Sequence, residues 1–199
     1  MPSQGTEATP SYRWIVLFIT SIAFFMSPFD ASVVNLALPA MSSSLRVSLT
    51  SLIWVPTAYL LVIASLETTI GRIGDVRGKR NLFVVALCLF SMGSLFASLC
   101  ENLSQLILAR VIQGLGAAGM DACGIALLAS AFPMGRRGRA YGINQMTIYI
   151  GLTSGPIIGG ILVQAFGWRS IFYVNVPIGF PFQRSFILFI PRASTQKSS

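Results

Sequence analysis

Long apolar runs separated by short polar or basic breaks organise this chain. Six runs of roughly 20 residues stand out: Trp14–Leu38, Ser51–Ile70, Leu82–Leu99, Gln105–Phe132, Ala140–Ala165 and Ser170–Ile190. Each is long enough for a helix to cross ~30 Å of hydrocarbon. Hydrocarbon offers no partner to a backbone N–H or C=O, so helices are the element these runs predict. The expected fold is an all-α membrane protein, a six-transmembrane-helix bundle over 14–190 with polar tails at 1–13 and 191–199. The first run is too long for the apolar core of a cleaved signal and lacks a clear small-residue cleavage site, so it reads as a retained span.

Composition agrees. Of 199 residues, 54% are hydrophobic and 10% charged, against about a quarter charged in soluble domains. The net charge of +8 does not form a nucleic-acid-binding face, because it is confined to the breaks. Arg72, Arg77, Lys79 and Arg80 lie in one break, and Arg136, Arg137 and Arg139 in another. The alternate breaks hold only Arg46, Glu101 and Arg169. The positive-inside rule then predicts a multi-pass protein of the inner (plasma) membrane with both termini cytoplasmic. Each basic break follows a pair of spans, and the two lie about 60 residues apart, which points to two three-helix repeats. Cys88, Cys100 and Cys123 show no CxxC spacing and read as packing residues, with no metal site. With no histidine, no nucleophile motif and no soluble domain, the chain does not read as an enzyme.

Ionisable residues within spans are functional candidates by default. Asp30 lies 16 residues after Trp14, roughly 24 Å from the cytoplasmic side. Arg110 lies five residues after Gln105 on a helix running the opposite way, roughly 8 Å from the outer side. In a ~30 Å core these depths coincide, so the two can meet. Arginine keeps its proton whereas a carboxylate can gain one. The pair is therefore either a proton switch or a structural ion pair that fixes the bundle. Asp121 lies three turns beyond Arg110 on the same face. It reads as a second proton site, a cation contact, or a local hydrogen bond to a neighbouring helix. Glu67 lies near an inner end, where water can solvate it, and Arg184 can snorkel to the cytoplasm.

The fifth run holds GLTSGPIIGG at 151–160. Gly151, Gly155 and Gly159 recur every four residues and form a smooth ridge for close helix packing. Pro156 removes one backbone bond and is expected to kink the helix. Gly114 and Gly116 likewise admit a neighbour close to Arg110.

Six stretches in order make the chain resemble the N-terminal half of a major facilitator superfamily transporter, of the EmrB/QacA type with fourteen spans. They are FDASVVNLALP (29–39), WVPTAYLL (54–61), GRIGDVRGKR (71–80), LILARVIQGLGAAGM (106–120), GLTSGPIIGG (151–160) and WRSIFYVNVPIG (168–179), and the likeness runs from about Trp14 to Gly179. The resemblance implies proton-coupled efflux of small amphipathic compounds or drugs, with Asp30, Arg110 and Asp121 coupling protons and the proton gradient in place of a cofactor. It implies a cytoplasmic latch at Gly71, Gly74, Asp75, Arg77, Gly78, Lys79 and Arg80, with Asp75 capping a helix that starts near Asn81; plain topology anchoring is the alternative. It assigns Gly151, Gly155, Pro156, Gly159 and Gly160 to an antiporter motif that seals against the other bundle, with packing inside this bundle as the alternative. Asn35, Tyr59, Gln113 and Met146, with Phe24 and Phe25, are the candidate cavity lining; the alternatives are that Gln113 hydrogen-bonds the Arg110 network and that the aromatics face lipid or core. The implied partners are the lipid bilayer, protons, an amphipathic small molecule and a second bundle of six or eight spans. Val76 after the aspartate, Arg136 before the RGR, and Asp121 itself depart from the pattern, and the likeness fades after Gly179. The alternative reading is a truncated fragment, inert alone, or a half that needs a partner.

Overall fold

Helices account for nearly all of residues 10–177 and 179, which the computed structural model describes. In order they are α1 (Pro10–Leu45), α2 (Leu49–Leu52), α3 (Trp54–Arg77), α4 (Lys79–Leu99), α5 (Leu103–Ala131), α6 (Met134–Phe166) and α7 (Ser170–Tyr173). Among the described residues, five stretches are long and apolar enough to cross a membrane: 12–45, 49–77, 79–99, 103–131 and 134–166. The expected sixth span enters through α7 and then lies almost wholly outside the described residues, as do Arg184 and both tails beyond residues 10–13.

The helices outrun the apolar runs that predicted them. α3 continues to Arg77, so most of the expected loop at 71–80 is helix. The break is Gly78 alone, with φ +95°, a conformation glycine adopts without strain. Its N–H closes α3 on the Gly74 carbonyl at 3.0 Å. Similarly, Arg136, Arg137 and Arg139 lie in the first turns of α6. There Arg137 Nε donates to the Phe132 carbonyl at 3.0 Å.

α5 is the central helix. It packs on α3 and α4 and also meets α1, which lies along α6. Small residues set these distances. A Cβ at Gly116 would fall 2.3 Å from Phe90 N, and one at Gly93 would fall 2.6 Å from Gln113 N. α4 and α5 therefore touch backbone to backbone. The apolar core forms two clusters. One gathers Met26, Phe83, Phe90, Met120 and Leu128. The other gathers Val33, Met41, Leu52, Ala109 and Phe172. Asp30 and Arg110 occur in the chain where α1 and α5 pass from one cluster to the other.

Candidate functional site

Buried polar side chains from four parts of the chain converge between the two clusters. Arg110 on α5 is fully buried and donates through Nη1 to Asp30 on α1, forming an ion pair. The same nitrogen donates to Gln113 Oε1 at 2.6 Å. Gln113 Nε2 donates to Asp30 Oδ1 at 2.9 Å. Asn175, two residues past α7, donates to that oxygen at 2.9 Å and to Ser94 Oγ on α4 at 3.1 Å. Three donors thus hold one carboxylate. The guanidinium lies over the Tyr59 ring, 3.9 Å from its centroid, and 5.9 Å from the Phe172 ring. Nε and Nη2 of Arg110 have no hydrogen-bond partner among the described residues, so the ring faces carry part of the stabilisation of this desolvated cation. A buried ion pair is weak evidence of stability, but deleting one partner strands the other and costs about 3–5 kcal/mol.

Tyr59 also faces a second region. Its hydroxyl and Ser27 Oγ are 2.9 Å apart, and Ser27 lines the same cavity as Asp121. Asp121 lines an open cavity of about 760 Å³ bordered by α1, α3, α5 and α6. Its walls are chiefly apolar and aromatic, including Phe24, Leu60, Ile63, Tyr141 and Ile148. Glu67, partly exposed, lines it too.

The candidate cavity residues separate accordingly. Phe24 and Tyr59 line the cavity. Gln113 does not; it is fully buried in the ion-pair network. Asn35 is exposed and donates to the Ala31 carbonyl of its own helix at 3.1 Å. Met146 is exposed outside the cavity, and Phe25 stacks on Phe29 with centroids 5.3 Å apart. Sequence reasoning missed Asn175, Ser94, Ser27 and Asn144. Asn175 carried a signal, a lone amide in the apolar stretch FYVNVP; the serines carried none, since a serine in a span commonly bonds its own helix.

The basic loop departs from expectation in two ways. Asp75 does not cap the next helix: it lies in the last turn of α3, and the cap position belongs to Gly78. Its carboxylate instead pairs with Lys79 Nζ at 3.0 Å on an exposed face. Gly74 is not at a turn; it is buried within α3, where a Cβ would fall 3.1 Å from Cys123 Sγ. Gly71 faces Ala122 with ordinary room, and Arg77 is exposed.

The glycine ridge of α6 faces α1, inside this bundle, rather than outward to another. A Cβ at Gly151 would lie 2.5 Å from the Phe25 carbonyl oxygen, at Gly155 2.7 Å from Ser32, and at Gly159 2.9 Å from Val33. Gly160 has ordinary clearance, 3.7 Å from Leu36. α6 remains one helix through Pro156. Proline has no N–H for the Leu152 carbonyl, and Ser32 Oγ of α1 donates to that oxygen instead, at 2.9 Å. The ridge brings the serine within reach.

Comparisons with known proteins follow the same outline. The family model described as the Major Facilitator Superfamily matches residues 20–199. The riboflavin transporter RibZ of Clostridioides difficile is 40% identical over 167 residues, covering 84% of this chain and 37% of that protein. The multidrug resistance protein Stp of Mycobacterium tuberculosis is 39% identical over 166 residues, 83% of this chain and 31% of its own. The methylenomycin A resistance protein of Bacillus subtilis is 37% identical over 174 residues, 87% and 37% respectively. The chain thus spans about a third of the length of these relatives. Among solved structures, a bacterial homologue of the human lysosomal transporter Spinster, inward-facing and unoccupied, has a TM-score of 0.79 at 19% identity, covering 96% of this chain and 46% of that one.

Proposed function

This chain belongs to the major facilitator superfamily, and from that premise we propose that it is the N-terminal bundle of a proton-coupled antiporter exporting small amphipathic compounds across the inner membrane. The observation that carries the reading is the ion pair between Asp30 and Arg110, buried where two apolar clusters meet. Of its two members only the carboxylate gains a proton in ordinary conditions. A proton arriving on Asp30 removes the negative charge that pairs with Arg110, whose cation is then left with Gln113 and the ring faces. Relief of that imbalance favours another arrangement of α1 against α5, which is how a proton is converted into a movement. The adjoining apolar cavity suits an amphipathic molecule. Relatives named for riboflavin transport and for drug or antibiotic resistance support small-molecule cargo.

In this reading the basic breaks and both termini face the cytoplasm. The loop centred on Gly78 latches against a second bundle of six or eight spans, as in the fourteen-span EmrB/QacA type. The share of the relatives' length that this chain covers favours a second reading beside it, a bundle inert without that partner.

Proteoliposomes carrying the chain, loaded with a fluorescent organic cation and given a pH gradient, provide the test. The expected result is gradient-driven efflux that Asp30→Asn abolishes. Efflux that still follows the gradient in Asp30→Asn overturns the coupling assignment. Failure of the unaltered chain to move the dye selects the second reading.

A further inference from the structure

The end of the bundle that carries the basic breaks holds another cavity, separate from the one Asp121 lines. Its volume is about 360 Å³. The start of α1 contributes Arg13, Trp14 and Leu17, and the start of α6 contributes Arg136, Arg139 and Ile143. Phe132, at the end of α5, completes the apolar part of the wall.

Helical spacing decides which arginines reach it. Arg136, Arg139 and Ile143 follow one another at three and four residues, so they share one face of α6. Arg137 falls off that face and turns back, its Nε donating to the Phe132 carbonyl at 3.0 Å. Of the three arginines in this break, one closes the neighbouring helix and two are left for the cavity. No aspartate or glutamate lines it. Neither Arg136 nor Arg139 forms an ion pair among the described residues. The first turn of α6 holds no acid either, although a helix start favours negative charge. Two guanidinium groups side by side call for an anion that the protein does not supply. Beneath these exposed arginines the wall is apolar, with Leu17 and Phe132 buried. Trp14 is exposed at the end of its span, where tryptophan meets the membrane surface. A cationic mouth over an apolar floor at that depth matches the join between a phosphate headgroup and its acyl chains.

We propose that this cavity binds an anionic phospholipid of the leaflet it faces, its phosphodiester held by Arg136 and Arg139 and its glycerol and first acyl carbons against Leu17, Phe132 and Ile143. Arginine's planar fork can engage two phosphate oxygens at once. A zwitterionic headgroup brings a cation of its own to the arginines, and a soluble phosphate leaves the apolar floor empty. The inference goes beyond the transport reading and stands without it, since it needs only a bundle seated in a bilayer.

The test is titration of the full chain in mild detergent with phosphatidylglycerol or with phosphatidylcholine of the same acyl chains, the bound lipid being counted by native mass spectrometry. The unaltered chain is expected to hold phosphatidylglycerol at least tenfold more tightly. Arg136→Gln combined with Arg139→Gln should weaken phosphatidylglycerol at least tenfold and phosphatidylcholine less than threefold, so that the zwitterionic lipid reports an intact fold. Arg72→Gln removes an exposed cation from another part of the same basic end and should change phosphatidylglycerol less than threefold. Ile143→Glu keeps every arginine but places a carboxylate one turn from Arg139; it should cancel the preference as well, and it decides the matter if the glutamine pair does not fold. A preference for phosphatidylglycerol that survives Ile143→Glu or the folded glutamine pair overturns the proposal, as does an unaltered chain without that preference. An equal loss in Arg72→Gln overturns it too, in favour of diffuse attraction to the whole basic end. Glycerol 1-phosphate that displaces the lipid at a matching concentration assigns the cavity to a soluble phosphate and overturns the lipid.

Discussion

Asp30 and Asp121 are the same residue type in the same bundle, yet the protein treats them oppositely. Asp30 is met by an arginine and two amides, and none of its neighbours in that network except Tyr59 borders the cavity. Asp121 has no basic residue beside it in the lining, shares the cavity with a second acid, Glu67, and faces open volume. The difference teaches that a carboxylate in a membrane bundle is not one kind of object. Where the protein provides the counter-charge, the acid holds helices together. Where it withholds one, the acid is left for something that arrives.

The sharpest way to break the comparison is to delete the counter-charge. Arg110→Met should destabilise the bundle by about 3–5 kcal/mol, because Asp30 is then buried unpaired; Asp30→Leu in the same chain should recover most of that loss in a detergent unfolding titration. Asp121→Asn should leave the same titration within about 0.5 kcal/mol, since no ion pair is broken. A large loss there would make Asp121 a structural acid and erase the contrast. Gly116→Ala ranks next, at about 1–3 kcal/mol, because the new Cβ meets the Phe90 backbone rather than a side chain that can yield. Gly160→Ala, with ordinary clearance, should be nearly silent in a thermal melt. Between those two, Ser32→Ala should cost about 1 kcal/mol by orphaning the Leu152 carbonyl beside Pro156, and amide hydrogen exchange near that turn of α6 should quicken.

Much of this was legible in the residues. Hydropathy located the first five helices because apolar length decides what crosses a bilayer. It missed their ends, since α1 begins at Pro10 and α3 runs to Arg77. Arginine is a good helix former in water, so a basic stretch marks where lipid ends, not where the helix does; only Gly78 marked that. The meeting of Asp30 with Arg110 followed from depth, which is linear along a helix. What faced the glycine ridge did not follow. A four-residue period shows that a face is smooth, while the identity of the helix against it depends on how the bundle closes. Gln113 carried two readings, a partner in the Arg110 network or a substrate contact, and took the first, because the ion pair satisfies both its amide oxygen and its amide nitrogen.

Tyr59 belongs to both regions at once, its face under Arg110 and its hydroxyl on Ser27, which lines the cavity with Asp121. A shared part makes the two regions hard to retune separately. Leucine or alanine at position 59 disturbs the ion pair and the cavity together, while phenylalanine cuts only the link between them. Diversification of cargo, in nature or by directed evolution, is therefore cheapest at wall positions such as Leu60 and Ile63, and Tyr59 is the pleiotropic hinge of the design.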